Sequence, residues 1–243
     1  MIPTFSHSGN LGDLIWSLPT VAYHGPGELH IILGGVPAAI RKYNNGPVFP
    51  EYEGRLSQKD YDLVAPLLKA QPYILKVTPY DGSEKIEYDL DEFRGTVGQA
   101  FKANFIETFA QTFHHPASYE PWLFVEPKKI ANFVVTRTTR YHSNRTTTIP
   151  TWIRYIKEYD LGKEGVFIGL PDEHQGFQDL FNVEIPYYKC EDFLDMAQVI
   201  AGCDTFLSNQ TFAYSLAQGL GKRTILEYRS IDCHMPRTDC HYF

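Results

Sequence analysis

Short runs rich in β-branched and aromatic residues alternate with helical patterns through the second half of the chain. Most of these runs are followed by an apolar-periodic stretch of about ten residues, the length of an ordinary helix. Strands separated by helices pair in parallel rather than as hairpins, and the helices then cover both faces of the sheet. The predicted strands are residues 132–136, 165–169, 183–185, 205–208 and 223–227, and the predicted helices are residues 150–159, 172–180, 192–201 and 211–218.

The first half shows the same alternation less regularly, so the sequence predicts an α/β fold throughout. A stretch with three prolines, residues 116–128, is the predicted linker between two domains, residues 1–120 and 121–243. The chain of 243 residues is long enough for two such domains. The predicted elements of the first domain are strands at 2–6, 28–33 and 73–78, helices at 13–22, 57–70 and 97–113, and an irregular segment at 36–57.

Composition narrows the possible partners. Hydrophobic residues make up 43% of the chain, enough for a buried core, and the net charge of −7 disfavours a surface built to grip a polyanion. We find no basic leader and no apolar run near the roughly 20 residues that cross a bilayer, so we expect a cytoplasmic protein. Two Cys-His pairs, Cys233-His234 and Cys240-His241, match no common zinc spacing, and we therefore predict free thiols and no metal site.

Ligands of open parallel sheets bind outside the carboxyl ends of the strands, which directs attention to the loops there. In the first such loop, glycines allow the backbone to approach a ligand or a facing domain closely. Asp13 follows at the start of a helix, where it is either an ordinary first-turn acid or a general base that faces a cleft. The candidate residues of this loop are His7, Gly9, Asn10 and Gly12.

Three further loops carry polar candidates. Arg137 and Arg140 follow a predicted strand, and their guanidinium groups could bind phosphate oxygens. The alternative is that they belong to a basic loop that is simply exposed to solvent. Glu173, with Asp172 and His174 as alternatives, could accept hydrogen bonds from ribose hydroxyls. Where a strand gives way to a helix, the free N–H groups make either an anion site or an ordinary capped terminus. The residues there are Ser208, Asn209, Gln210 and Thr211.

Several common motifs are missing from the sequence. There is no Walker-type glycine-lysine loop and no GxSxG, and the segment Gly9-Asn10-Leu11-Gly12 is not GxGxxG. A dinucleotide-dependent oxidoreductase is therefore poorly supported.

Residues 192–222 resemble the C-terminal domain of heptosyltransferase-like GT-B glycosyltransferases, the family of the ADP-heptose:lipopolysaccharide heptosyltransferases. The segment Ser208-Asn209-Gln210-Thr211 stands where that family has an N-D-T-G-like loop, so Gln210 replaces an acid. The Gly12-Asp13 pair looks like the family's opening motif, and Gly169 to Glu173 looks like its G-x-x-x-E turn. The resemblance covers residues 1–25 and about 130–230, and no lysine matches the one that the family carries after its first C-terminal strand.

The resemblance implies two Rossmann-like domains facing a cleft, with the N-terminal one reduced. It implies a metal-independent glycosyltransferase that needs no cofactor and moves a hexosyl or heptosyl unit from a nucleotide-diphosphate sugar to an acceptor hydroxyl, with Asp13 as the base. Donor and phosphate contacts would come from Arg137 or Arg140, Glu173 and the loop 208–211. The acceptor is open among a glycan, a lipid and a modified nucleic-acid base. The alternative is a non-catalytic module of this fold that binds a nucleotide or glycan.

Overall fold

The computed structural model describes residues 1–34, 56–94, 104–138, 148–228 and 240–243. The chain forms two compact units, which meet in the sequence between Phe124 and Val125. Each unit is built on a parallel sheet, as the alternation of strands and helices predicts.

The first unit holds a four-stranded sheet in the order β3-β2-β1-β4, and every neighbouring pair is parallel. Three of its strands lie close to the predicted segments. The fourth escapes sequence prediction because it is two residues long and one of them is an aspartate. The strands are β1 (Thr4–His7), β2 (Gly27–Ile31), β3 (Ile74–Pro79) and β4 (Tyr88–Asp89).

Two of the described helices of the first unit begin with a side-chain cap. Ser57 accepts a hydrogen bond from the Asp60 N–H while the Asp60 carboxylate accepts one from the Ser57 N–H, which satisfies two of the N–H groups at the start of α2. The Asn104 side chain caps α3 through the N–H of Glu107. The helices are α1 (Leu11–His24), α2 (Gln58–Lys69) and α3 (Phe105–Thr112), and a 3-10 turn, Leu90–Glu92, follows β4.

The two faces of the first sheet differ in character. Phe5, Leu29 and Val77 are neighbours on one face, and all three are buried. Because side chains alternate along a strand, the next row of the register lies on the opposite face, and it consists of polar Ser6, His30 and Thr78. The helices α1 and α2 connect β1, β2 and β3, whereas residues 80–87, which lead back to β4, contain no helix.

This returning link packs on the polar face. The Thr4 hydroxyl donates to the Lys85 carbonyl at 2.7 Å, and a Glu84 carboxylate oxygen lies 3.6 Å from His30 Nδ1. His30 is fully buried, and burial lowers its pKa even though the carboxylates of Glu84, Glu28 and Asp81 act in the opposite direction. The first sheet therefore has one apolar face and one polar face.

The second unit holds a five-stranded parallel sheet in the order β6-β5-β7-β8-β9. The predicted strand at residues 183–185 is wrong. The chain pairs with β6 only two residues later, through a single bridge between Tyr187 and Phe167, because Pro186 has no N–H to extend a ladder. The strands are β5 (Phe133–Thr136), β6 (Gly165–Phe167), β7 (Thr205–Asn209), β8 (Thr224–Glu227) and β9 (His241–Tyr242).

Both faces of the second sheet are apolar. Val135 and Leu207 are neighbours on one face and belong to a core with Trp152 and Phe177, whereas Val134 and Phe206 pair on the other face. In the described part of the chain, no helix is long and apolar enough to cross a membrane. The helices of this unit are α4 (Ile149–Glu158), α5 (Leu161–Glu164), α6 (Pro171–Phe181), α7 (Phe193–Gly202) and α8 (Phe212–Gly219).

Candidate functional site

Each sheet has one position where the direction of winding reverses. In the first unit, β2 and β3 lie on one side of β1 and β4 lies on the other. In the second unit, β6 lies on one side of β5 and β7 on the other. At such a switch point, the loops that leave two adjacent strands diverge and open a crevice at the carboxyl ends, where α/β proteins bind ligands. The predicted residues of the loop after β1, with Arg137 and residues 208–211, lie in these loops, whereas Glu173 follows the neighbouring strand β6.

Asp91 organises the switch point of the first unit. One of its carboxylate oxygens accepts hydrogen bonds from the N–H and the hydroxyl of Ser8, both at 2.6 Å. Burial alone would raise the pKa of Asp91, but its electrostatic interactions with His7 and Arg94 and the hydrogen bonds from Ser8 outweigh burial and lower the pKa. The ionised Asp91 thus ties the turn after β4 to the loop after β1.

Arg94 connects Asp91 to Asp13. Its Nε lies 3.3 Å from Asp91 Oδ1, and its Nη2 lies 2.8 Å from Asp13 Oδ2. Asp13 is in the first turn of α1, and its side chain keeps 15% of its surface exposed. A Cβ at Gly9 would lie 1.9 Å from Arg94 Nη2, so only glycine leaves room for the guanidinium there.

His7 is buried in the same loop. Its Nδ1 accepts a hydrogen bond from the Gly9 N–H at 3.0 Å, which places the proton of the neutral ring on Nε2. Burial lowers the pKa of His7, so the ring is neutral near pH 7. Asn10 is exposed just before α1 and does not cap it, and Gly12 lies in the first turn of that helix.

Asp89 adds a second buried carboxyl beside Asp91. It accepts a hydrogen bond from the Asp91 N–H at 3.1 Å, and the Ser6 hydroxyl lies 3.4 Å away. Burial, helped by the negative charge of Asp91, raises the pKa of Asp89 to about 7. Sequence reasoning missed Asp89, Asp91 and Arg94. The signal that could have found them is the run of acids after Tyr88, at the carboxyl end of a fourth strand.

At the switch point of the second unit, Arg137 is buried and paired. Its Nε and Nη2 donate to the two carboxylate oxygens of Glu227, at 2.7 and 3.2 Å. The Thr148 hydroxyl and the Trp152 indole N–H also donate to Glu227. Burial opposes ionisation of Glu227, but these partners outweigh it and lower its pKa. The predicted phosphate ligand Arg137 is therefore engaged in joining the ends of β5 and β8, and Arg140 lies outside the described residues.

Asn209 joins the two loops that diverge at this switch point. Its Oδ1 accepts from the Thr138 N–H at 3.1 Å, and its Nδ2 donates to the Thr138 carbonyl at 2.8 Å. Ser208 is buried and its hydroxyl donates to the Asn209 carbonyl. These side chains hold the shape of the crevice.

Glu173 lies at the carboxyl end of β6. Its Oε2 accepts from the Leu170 N–H at 3.0 Å and so caps the first turn of α6. Gly169 has a φ of +132°, and a Cβ there would lie 3.0 Å from that oxygen, which explains the glycine in this turn. Leu170 keeps 40% of its surface exposed beside these residues.

The start of α8 differs from the loops after β5 and β6, in which Arg137 and Glu173 are already hydrogen-bonded within the protein. Within the described residues, no side chain caps its first turn, and the buried Thr211 hydroxyl has no hydrogen-bond partner. Gln210, which replaces the acid of the resembling family, directly precedes it. Backbone N–H groups at a helix start attract anions, because they carry the positive end of the helix dipole. The Thr211 hydroxyl and the first turn of α8 can therefore receive an anionic group.

The described residues contain no group of three or more His, Cys, Asp or Glu side chains that could hold a metal ion. His241 pairs with the Tyr155 hydroxyl, and Cys240 lies near the Gln218 amide. Cys233 and His234 lie outside the described residues.

No protein-family model matches the sequence, and no curated protein is significantly similar to it. Several solved structures are similar in fold. A glycosyl transferase family 9 protein from Veillonella parvula has a TM-score of 0.63 at 9% identity, with 99% of this chain and 86% of that chain covered. The heptosyltransferase WaaC of E. coli has a TM-score of 0.56 at 11% identity, with 100% and 93% covered.

A third similar structure is the dodecameric, iron-containing glycosyltransferase TibC of enterotoxigenic E. coli, with a TM-score of 0.57 at 14% identity and 98% and 61% of the chains covered. All three similarities extend over nearly the whole chain and include both parallel sheets. The chain therefore has the fold of the heptosyltransferase-like GT-B glycosyltransferases, which confirms at the level of fold the resemblance seen in its sequence.

Proposed function

We propose that the protein is a glycosyltransferase that moves a sugar from a nucleotide-diphosphate donor to an acceptor hydroxyl. The observation that carries this proposal lies at the switch point of the second sheet, where none of the described side chains caps the start of α8 or bonds to the Thr211 hydroxyl. The similar structures support the donor class, because WaaC was solved with ADP-2-deoxy-2-fluoro heptose and TibC with ADP-D-beta-D-heptose.

In this proposal the donor diphosphate binds the N–H groups of the first turn of α8 and the Thr211 hydroxyl. The nucleoside lies toward Glu173 and the exposed Leu170, at the carboxyl end of β6. The same N–H donors stabilise the negative charge that develops on the departing nucleoside diphosphate. Asp13 accepts the proton of the acceptor hydroxyl as its oxygen attacks the anomeric carbon.

We expect a Thr211→Val variant to bind nucleoside diphosphates about tenfold more weakly than the wild type, because it loses one hydrogen bond to a charged group. Isothermal titration calorimetry with ADP, UDP and GDP measures this. Thr151→Val is the matched control, since Thr151 lies in α4 and is not among the proposed donor contacts. Equal affinities in both variants would exclude Thr211 from the site, and no binding of any nucleotide would contradict the proposed donor.

We expect an Asp13→Asn variant to lose about 100-fold or more in donor turnover, the range of general base catalysis. Release of nucleoside diphosphate from ADP-heptose, UDP-glucose, UDP-N-acetylglucosamine and GDP-mannose is the measurement, with and without sugar alcohols as acceptors. Binding of ADP should be unchanged, because Asp13 belongs to the first unit and the proposed donor contacts belong to the second.

The second candidate function is a binding module that holds a nucleotide or glycan without turnover. One observation favours it: Gln210 stands where the resembling family has an acid. Tight binding of a nucleotide sugar by the wild type, with no release of nucleoside diphosphate in the presence or absence of acceptors, would select this function over the enzyme.

A further inference from the structure

We infer that Arg94 positions the carboxylate of Asp13. Arg94 is itself held by Asp91, and its guanidinium occupies the space that the missing Cβ of Gly9 leaves. This inference rests on the proposed function, because it assigns Arg94 a role in the reaction for which Asp13 is the base. It concerns three residues that lie in different elements: Asp13 in α1, Asp91 in the 3-10 turn after β4, and Arg94 just beyond that turn.

The contacts form a chain from a rigid anchor to a partly exposed group. Asp91 has 1% of its side chain exposed and is fixed by the two Ser8 donors. Arg94, with 18% exposed, bonds to Asp91 through Nε and to Asp13 through Nη2. The guanidinium is planar, so fixing it at Nε also fixes the direction in which Nη2 points. Asp13 Oδ2 is thereby held at 2.8 Å from a group that is itself anchored.

Such a restraint matters for a general base because proton transfer depends on alignment. A misplacement of about 1 Å can lower a rate about 100-fold. The side chain of Asp13 is 15% exposed, so the carboxylate can still be reached by a reactant while the arginine holds it. Asp91 also keeps Arg94 paired after Asp13 has taken up a proton and become neutral, so the arginine is not left without a counter-charge.

The balance of the step is simple. The acceptor oxygen forms a bond to the anomeric carbon, and its proton passes to Asp13. The bond between that carbon and the diphosphate oxygen breaks, and its electron pair leaves with the nucleoside diphosphate. Arg94 neither gives nor takes a proton in this step.

Gly9 provides a way to move Arg94 without removing it. An alanine there would place its Cβ 1.9 Å from Arg94 Nη2 and 3.1 Å from His7 Cε1. The nearest obstacle is the far end of a flexible side chain, so the guanidinium gives way while the loop keeps its course. Gly176→Ala is the matched control, because a Cβ at Gly176, within α6, meets nothing within 4 Å.

The experiment compares Gly9→Ala, Arg94→Met, Arg94→Lys and Gly176→Ala with the wild type. The readouts are the kcat and donor KM of the best substrate among ADP-heptose, UDP-glucose, UDP-N-acetylglucosamine and GDP-mannose, together with the melting temperature. We expect kcat to fall about 100-fold in Arg94→Met and at least tenfold in Gly9→Ala, with donor KM within twofold of the wild type. Arg94→Lys should recover part of kcat, and Gly176→Ala should match the wild type.

The double variant Arg94→Met with Asp13→Asn separates positioning from a direct contact with substrate. If Arg94 acts only through Asp13, the double variant is no slower than Asp13→Asn alone. An additional loss in the double variant, or full kcat in Gly9→Ala and Arg94→Met, overturns the inference while the proposed function stands. A wild type without turnover of any of the four donors overturns both.

Discussion

Replacement of Arg137 by methionine is expected to lower the free energy of unfolding by about 3–5 kcal/mol, because it leaves a buried carboxylate without its guanidinium. Glu227 has 2% of its side chain exposed and Arg137 has 4%, so water cannot take over the missing bonds. Thr148 and Trp152 still donate to Glu227, but neither carries a charge. Urea unfolding, followed by circular dichroism, measures the change.

Lys129→Met is the matched control for this substitution. Lys129 pairs with Asp204 at 2.8 Å, but the two side chains are 50% and 67% exposed, so the loss should stay below about 1 kcal/mol. The double variant Arg137→Met with Glu227→Met should recover most of the stability, since it removes both buried charges together. A single variant as stable as the wild type but weaker in ADP binding would instead identify Arg137 as the donor ligand that the sequence predicts.

An Asp89→Asn variant is expected to be more stable than the wild type at pH 8 by about 4 kcal/mol. Burial and Asp91 raise the pKa of Asp89 from 3.8 in the unfolded chain to about 7. Between these values the folded protein binds more protons than the unfolded one, so the wild type loses stability as pH rises toward 7 and gains none above it. Asparagine keeps an oxygen for the Asp91 N–H and carries no charge to bury.

The difference between this variant and the wild type should shrink to less than half at pH 5, because the Asp89 carboxyl is then neutral in the folded protein. His7 acts in the opposite direction: burial lowers its pKa below 6.5, so it reduces stability as pH falls below that value. Both proteins contain His7, and the comparison between them therefore isolates Asp89. Glu87→Gln, at an exposed carboxylate, is the control, and an equal gain there would contradict the assignment.

The sequence predicts the second unit well because its strands and helices are regular and apolar-periodic. β5, β7 and α8 lie within a few residues of their predicted limits. β4 has too few residues to show a period, and its Asp89 reads as a turn residue. Only its pairing with β1 makes it a strand, and that pairing brings together positions 83 apart in the chain.

The sequence predicts the candidate loops, but it does not predict which of their polar atoms are left to bind a ligand. An arginine after a strand reads as a phosphate ligand, yet Arg137 is paired with Glu227, which lies 90 positions further along the chain. Glu173 and Asn209 likewise lie in the predicted loops, and their polar atoms bind the backbone of Leu170 and Thr138. Composition and spacing indicate which residues face a crevice, whereas tertiary pairing decides which of their donors and acceptors remain for a ligand.

The polar face of the first sheet affects how easily the first unit unfolds locally. Hydrophobic stabilisation grows with the apolar area that is removed from water, and the described part of the first sheet supplies such area on one side only. The second sheet supplies it on both. We therefore expect local unfolding to cost less free energy in the first unit than in the second. Such unfolding would break the contacts of Ser8, Asp91 and Arg94 while the crevice at β5 and β7 stays folded.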